Sequence, residues 1–312
     1  MLAITIAIAI GIALPMETAI NSRLQGVLKS PYFASFMSFF MGTILLTILL
    51  RITGHSLIIA PHFIASQPWW IWLGGVLAVV YLTGNILLFP KLGGIQTVLM
   101  PILGEILMGL LIDGFGWFAS TRYPITWLRL VGALLMISGI VCAVVLPDRS
   151  RKSTYQRSAD HPNRGRGAWQ LLGIVFGGFA ACQTAVNGHL GYLLHSPIQG
   201  AYVSFLIGTV LLLITVLIQN HGLRLPVGAI SRHPWWIWFG GFIGALFVLG
   251  NVYLVPIIGT GLTVVIVLFG QIIGGLVVDQ FGLFGAKRNP IVFLQIVGLL
   301  IMIVGVLLIK IF

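Results

Sequence analysis

Long apolar runs separated by short polar stretches follow one another along the whole chain. A helix needs about 20 consecutive apolar residues to cross the core of a bilayer. The pattern predicts ten such helices, at positions 2–22, 33–52, 69–89, 95–113, 127–146, 169–188, 199–219, 235–255, 261–279 and 291–310. The predicted fold class is therefore an all-α polytopic membrane protein.

The two halves of the chain repeat each other in register. Adding 166 to a position in the first half gives its partner in the second half without a gap. Identical residues at this spacing include Asn21 and Asn187, Gly84-Asn85 and Gly250-Asn251, and the segments Pro68–Trp72 and Pro234–Trp238. Five helices in each copy is an odd number, so the second copy should enter the membrane upside down. We expect ten transmembrane helices arranged as two inverted five-helix repeats.

The only long polar stretch lies between these halves. It divides the chain into a first repeat at 1–146, a basic linker at 147–168 and a second repeat at 169–312. In the predicted topology, 13 of the 17 Lys and Arg residues lie on the linker side and 4 on the other side. Cationic loops favour the cytoplasm, so the linker is predicted to be cytoplasmic and both termini to lie outside.

Composition supports the membrane assignment. The chain is 58% hydrophobic and only 7% charged, with a mean hydropathy of +1.07, which excludes the soluble globular classes. The net charge of +11 lies mostly in loops, where it sets orientation, so we expect a lipid bilayer and no nucleic acid as partner. The predicted location is the inner (plasma) membrane, multi-pass. A monomer is compatible with this pattern, and the oligomeric state stays open.

Two acidic residues inside apolar runs are the strongest functional signal. Only Glu17 and Glu105, of six acids, lie in such runs. A charge near the bilayer centre costs roughly 2.5–3.5 kcal/mol and usually marks a functional position. Asn21 follows Glu17 by four residues and shares its helix face. Pro15 and Pro101 precede the two acids and free backbone groups there. These residues form either a functional site that faces the protein interior or a purely structural hydrogen-bond network between helices.

The second half keeps these positions polar but uncharged. Gln183 and Gln271 stand where the first half has its two glutamates, and they cannot titrate. Asn85 and Asn251 each follow a glycine inside an apolar run, where an amide lines a path or bonds to a neighbouring helix. The predicted substrate- and proton-binding residues are Glu17, Asn21, Asn85, Glu105, Gln183, Asn187, Asn251 and Gln271.

Other motifs indicate no enzyme. Asp113 and Asp279 end matching spans and are predicted to be structural. The seven histidines show no metal-ligand spacing. No phosphate-binding glycine-rich loop and no nucleophile–base pair stands out. We predict no metal, no cofactor and no catalytic residues.

The chain resembles the drug/metabolite transporter superfamily, specifically its YdcZ-like family. The resemblance covers nearly all the chain outside the linker, as two fused copies of a unit that often stands alone. It implies ten helices in inverted halves, with an alternating-access cavity for small metabolites. Relatives with ten spans usually have cytoplasmic termini, opposite to the basic-residue count. The residues that carry it are Asn21, Gly84-Asn85, Gly250-Asn251, Gly270-Gln271, Asp279-x-Phe281-Gly282, Gly298 and Gly305.

These observations predict a secondary active transporter of a small organic metabolite or drug, exporting it across the inner membrane with proton coupling by alternating access. Its expected partners are the small-molecule substrate and protons. Glu17 resembles in placement the proton-coupling glutamate of the small multidrug resistance branch. Two alternatives stay open. One is a passive small-ion channel with the amides as filter groups. The other is a non-transporting membrane scaffold with glycine-rich packing faces.

Overall fold

The computed structural model describes residues 2–120, 122, 124–145, 165–220, 233–258, 260–288 and 290–311. Positions 146–164, which include most of the predicted linker, lie outside the described residues. Within the described part, the ten longest helices are α1 (Leu2–Leu28), α2 (Pro31–Ile52), α3 (Gly74–Leu92), α4 (Gly94–Phe115), α5 (Trp127–Ile140), α6 (Arg166–Leu193), α7 (Pro197–Asn220), α8 (Gly240–Ile258), α9 (Thr260–Phe281) and α10 (Phe293–Ile311).

These ten helices lie at the ten positions predicted from the apolar runs. Among the described residues, six of them are long and apolar enough to cross a bilayer: α1, α2, α3 with the turn before it, α4, α6 and α7. Shorter apolar segments, of 10–17 residues, occupy α5, α8, α9 and α10. The helix ends differ from the predicted ones by several residues. For example, α1 extends to Leu28 and runs through Pro15 without a break in the helix.

Local sequence signals set several helix ends. The Ser30 side chain accepts a hydrogen bond from Phe33 N at 3.2 Å, and Pro31 occupies the first turn of α2, where its missing N–H costs nothing. Gly116 directly follows α4 and Gly282 directly follows α9, with φ of 69° and 63°. Such left-handed backbone favours glycine. Since the two glycines are 166 positions apart, the repeat extends to this turn.

Helices of the first half pack mainly against helices of the second half. α1 of the first half packs against α8 and α9 of the second half, and α6 of the second half packs against α3 and α4. In addition, α2 meets α7 and α5 meets α10. Each contact therefore has a counterpart in the other half or joins a helix to its own copy.

Glycines allow helices of the two halves to come into backbone contact. A Cβ added at Gly270 of α9 would lie 2.5 Å from the Ile8 carbonyl oxygen of α1. In the matching interface, a Cβ at Gly177 of α6 would overlap the Pro101 carbonyl of α4. Small residues allow this close approach in membranes, where helix association depends on packing. The abundant glycine therefore serves the interface between the halves.

Two side chains meet their own copies where α2 crosses α7. The hydroxyl oxygens of Thr43 and Thr209 lie 2.8 Å apart, and the ring centroids of Phe39 and Phe205 lie 5.0 Å apart. The partners in each pair are 166 positions apart. In an isologous contact, a residue meets its own copy only near the rotation axis. The α2–α7 crossing is therefore one of the places where matched residues of the two repeats face each other.

Asp279 joins the end of α9 to the start of α4. Its two carboxylate oxygens accept hydrogen bonds from Gly94 N and Ile95 N at 2.8 and 2.9 Å. A carboxylate at a helix N-terminus satisfies free N–H groups and interacts favourably with the helix dipole. This contact gives the predicted structural role of Asp279 a physical basis.

Candidate functional site

A cavity of about 70 Å³ lies between the two halves, with walls mainly from α1, α3, α6 and α8. Single residues of α2, α4 and α7 complete its walls. Most of the lining follows the sequence repeat. The matched lining pairs are Leu14 and Ala180, Glu17 and Gln183, Thr18 and Thr184, Phe39 and Phe205, Ala78 and Gly244, Tyr81 and Phe247, Leu82 and Val248, and Asn85 and Asn251.

Glu17 is a buried and hydrogen-bonded polar group of this cavity. Its side chain is 3% exposed. Its Oε1 accepts hydrogen bonds from Asn21 Nδ2 at 3.2 Å and from Ser38 Oγ at 3.4 Å. Asn21 Nδ2 also donates to Ser38 Oγ at 3.1 Å, which closes a three-residue network between α1 and α2. The carboxyl group packs on the backbone of α8, since a Cβ added at Gly244 would lie 2.5 Å from Oε1.

The second half repeats this network without the charge. Asn187 Nδ2 donates to Ser204 Oγ at 3.1 Å, as Asn21 does to Ser38. Gln183 takes the place of Glu17 on the cavity wall. Ala78 stands where the first network has a glycine. The two networks are therefore equivalent in their amide–hydroxyl pair and differ in the group that faces the cavity.

Asn21 and Asn187 are also packed against the starts of helices. The Oδ1 of Asn21 lies against Gly240, the first residue of α8, and that of Asn187 lies against Gly74, the first residue of α3. Neither Oδ1 has a hydrogen-bond partner among the described residues. A side chain at either glycine would occupy the space of the amide. Through the two asparagines, α1 packs closely against the start of α8, and α6 packs closely against the start of α3.

The groups that can carry a proton are concentrated in the first half. Glu105 lines the cavity from α4. Tyr81 lies within interacting distance of both Glu105 and Asn85, and its counterpart in the second half is Phe247. In that half, Asn251 Nδ2 donates to the Phe247 carbonyl oxygen of its own helix at 2.9 Å. The cavity is thus nearly symmetric in the positions that line it and asymmetric in their chemistry.

A family model described as "Putative inner membrane exporter, YdcZ" matches residues 2–142 and again residues 168–308. The chain belongs to the YdcZ family. It carries two tandem copies of the family unit. As a member of this family it is a multi-pass protein of the inner membrane, and the family description names an exporter rather than an enzyme.

Comparison with solved structures shows that the fold of this YdcZ-family chain occurs elsewhere. A structure described as "Crystal structure of protein" matches with a TM-score of 0.61 and 12% sequence identity, covering 98% of this chain and 96% of that chain. At this identity the likeness shows the fold alone. None of the curated proteins matches the sequence.

Six of the eight residues predicted for the site line the cavity, namely Glu17, Asn85, Glu105, Gln183, Asn187 and Asn251. Asn21, which is 0% exposed, lies behind Glu17 and supports it. Gln271 does not line the cavity, although its counterpart does. It is 4% exposed, and its backbone lies at the α1–α9 contact beside Gly11.

Several site residues of this family member were not predicted. The repeat could have shown Thr18 with Thr184 and Ser38 with Ser204, since both pairs are identical at the 166-residue spacing. Tyr81 has no such partner. Among the described residues, no group of three or more His, Cys, Asp or Glu side chains is placed to hold a metal ion.

Proposed function

We propose that this YdcZ-family chain is a proton-coupled secondary transporter that exports a small organic solute by alternating access. The observation that carries the proposal is the Glu17 carboxyl, which is buried in a cavity between the two halves. Ionisable residues inside a membrane protein are costly and commonly serve as proton relays or ligand counter-ions.

The network around Glu17 can serve both protonation states. A carboxylate accepts the two hydrogen bonds from Asn21 and Ser38. A protonated carboxyl needs an acceptor for its own O–H, and rotating the Asn21 amide by 180° would present Oδ1, which lacks a partner among the described residues. Loading and release of a proton would then require only a local rearrangement.

Alternating access is supported by the way the halves meet. Transporters built from inverted repeats place their site at the repeat interface and rock one repeat against the other. Here the helix contacts are reciprocal and the site lies between the halves. We propose that the repeats at 1–146 and 169–312 are inverted, and that the segment 147–168 joins them as a cytoplasmic linker.

The lining chemistry favours a solute with positive charge or several hydrogen-bond donors. Two carboxyl groups, Glu17 and Glu105, line the cavity, and the described residues of its walls include no Lys, Arg or His. Phe39, Phe205 and Phe247 offer aromatic faces, which attract organic cations. A volume of about 70 Å³ holds only a few waters, so we assign this structure to a closed state.

The test is flux in liposomes that contain the purified protein. A solute would first be selected by a thermal-shift screen of metabolites and organic cations. Saturable uptake that responds to an imposed pH gradient would support the proposal. Fast, unsaturated flux that ignores the gradient would point to the passive channel. No flux above protein-free liposomes, despite a stabilising solute, would point to the scaffold.

A further inference from the structure

A second cavity, of about 580 Å³, shares no lining residue with the first. It lies about one helical turn further along α1 and α3, where the turn between α3 and α4, the end of α9 and the starts of α6 and α10 come together. Cavities of this size are typical of sites for small organic ligands. Its volume is about eight times that of the proposed transport site.

The walls of this cavity are strongly basic. Four cationic side chains line it: Arg23, Lys91, Arg166 and Lys287. The one carboxylate among the lining residues is Asp279, whose two oxygens already accept hydrogen bonds from the start of α4. The cavity therefore has an excess of positive charge, whereas the described lining of the proposed transport site has two carboxyl groups and no cation. The two cavities must favour ligands of opposite charge.

Neutral side chains of the wall can add hydrogen-bond donors. Gln96 Oε1 accepts a hydrogen bond from Gln170 Nε2 at 3.2 Å, and Gln295 Oε1 accepts one from Val292 N at 3.1 Å. With both carbonyl oxygens engaged inside the protein, the Nε2 groups of Gln96 and Gln295 are what these residues can offer to a ligand. Donors combined with cations suit an anion that has several oxygens.

The repeat indicates that the helix packing does not require three of these cations. At the matched positions of the other half, Arg23 corresponds to His189, Lys91 to Ile257 and Lys287 to Thr121. Basic residues on one side of a membrane protein can serve orientation alone. Orientation depends only on the side of the membrane on which a basic residue lies, whereas these four come from different helices and turns and converge on one cavity.

We propose that this cavity binds a phosphate group carried by a larger molecule. A phosphate anion, whether a monoester or a diester, matches the surplus of cations and the amide donors, and Arg and Lys are the usual phosphate-binding side chains. The volume leaves room for an attached sugar, glycerol or similar body. The same chemistry can come from a soluble phosphomonoester or from an anionic lipid headgroup, and the experiment separates these sources.

The test uses the purified full-length protein in neutral detergent and follows its thermal midpoint. Glycerol 3-phosphate is titrated as the soluble probe, with sodium chloride at matched ionic strength as the salt control. For the lipid source, the protein is reconstituted in vesicles of phosphatidylcholine alone or with one fifth phosphatidylglycerol. The variants are Lys91→Gln with Lys287→Gln, Arg23→His alone, and the control Lys29→Gln, an exposed cation outside the cavity.

We expect wild type and Lys29→Gln to be stabilised by the phosphate probe or by phosphatidylglycerol, and the source that stabilises identifies the ligand class. The double variant and Arg23→His should each weaken this effect by roughly tenfold or more in apparent affinity, since each removes charge-assisted contacts. Equal affinity of the cavity variants and Lys29→Gln would overturn the proposal, as would a shift that sodium chloride reproduces. If the double variant does not fold, Arg23→His alone decides.

Discussion

Glu17→Gln is the substitution that most directly tests proton coupling. It keeps the size of the side chain and an oxygen that can accept from Asn21 and Ser38, and it removes the group that titrates. The fold already accepts glutamine at this place in the other half, where Gln183 lines the same cavity. We therefore expect a folded protein that has lost one chemical property.

The expected cost in stability follows from the two hydrogen bonds. A bond to a charged acceptor contributes about 1 kcal/mol more than a neutral one. The bonds to Glu17 Oε1 are 3.2 and 3.4 Å long, at the weak end of the usual range. If Glu17 is ionised, the substitution should lower the free energy of unfolding by at most about 2 kcal/mol. If Glu17 is protonated, the change should be close to zero.

The expected effect on transport is larger. A pH difference of one unit supplies about 1.4 kcal/mol per proton, enough for a tenfold solute gradient when one proton moves per solute. Wild type should therefore concentrate the solute about tenfold per pH unit under this one-to-one coupling. Glu17→Gln should bring the solute only to equal concentrations on both sides, and the pH dependence of solute binding should disappear.

Uptake into proteoliposomes under an imposed pH gradient measures this ratio, and a melting curve on the same preparation checks folding. Glu105→Gln is the matched comparison, because it removes the other carboxyl of the cavity and leaves the Glu17 network intact. A folded Glu17→Gln protein that still concentrates solute would refute the assignment. Loss of uphill transport in Glu105→Gln alone would move the coupling role to that residue.

Three further substitutions test other parts of the structure. Gly244→Ala should displace the Glu17 carboxyl and reduce transport several-fold, with a melting curve near that of wild type. Ala78→Gly, the converse change in the other half, should transport normally. Equal transport activity of the two variants would count against the packing argument. Asp279→Asn weakens the cap of α4 and should lower the free energy of unfolding by about 1–2 kcal/mol without changing solute selectivity. Altered selectivity in a stable variant would contradict the structural role of Asp279. Ser153→Cys should resist an impermeant thiol reagent in intact cells, and labelling without lysis would reverse the predicted orientation.

The positions of the helices could be predicted from the sequence, because apolar length alone identifies a membrane helix. The in-register repeat also predicted which polar residues share the interface between the halves, as Asn85 and Asn251 do. The rotation of each helix could not be predicted. A helix such as α9 has apolar residues on all sides, so nothing in its sequence shows that Gln271 does not line the cavity to which Glu105 contributes.

Residues that matter through their small size or single hydroxyl group were the hardest to find. Gly244 is one of 39 glycines, and only the structure shows that the Glu17 carboxyl rests on it. Ser38 and Tyr81 resemble the many hydroxyl residues that bond within their own membrane helices, as Thr47 does to the Thr43 carbonyl oxygen. Their role depends on which helix lies opposite, and that is a property of the tertiary structure.

Fusion of the two copies explains how a symmetric framework can hold an asymmetric site. In a dimer of identical units, every residue of the site would occur twice, and two carboxyl groups would face each other across the axis. Here the paired positions carry Glu17 and Gln183, and Tyr81 faces the site together with Phe247. One network can titrate while its copy keeps the same amide–hydroxyl pair as a fixed support. The inward and outward states of such a transporter would no longer be equivalent, because the proposed proton site belongs to α1 and its neutral copy to α6. We therefore expect Gln183→Glu with Glu17→Gln, which moves the carboxyl to the other half, to restore proton coupling while changing the preferred direction of transport in oriented vesicles. Restored coupling with the original direction would show that direction is set elsewhere.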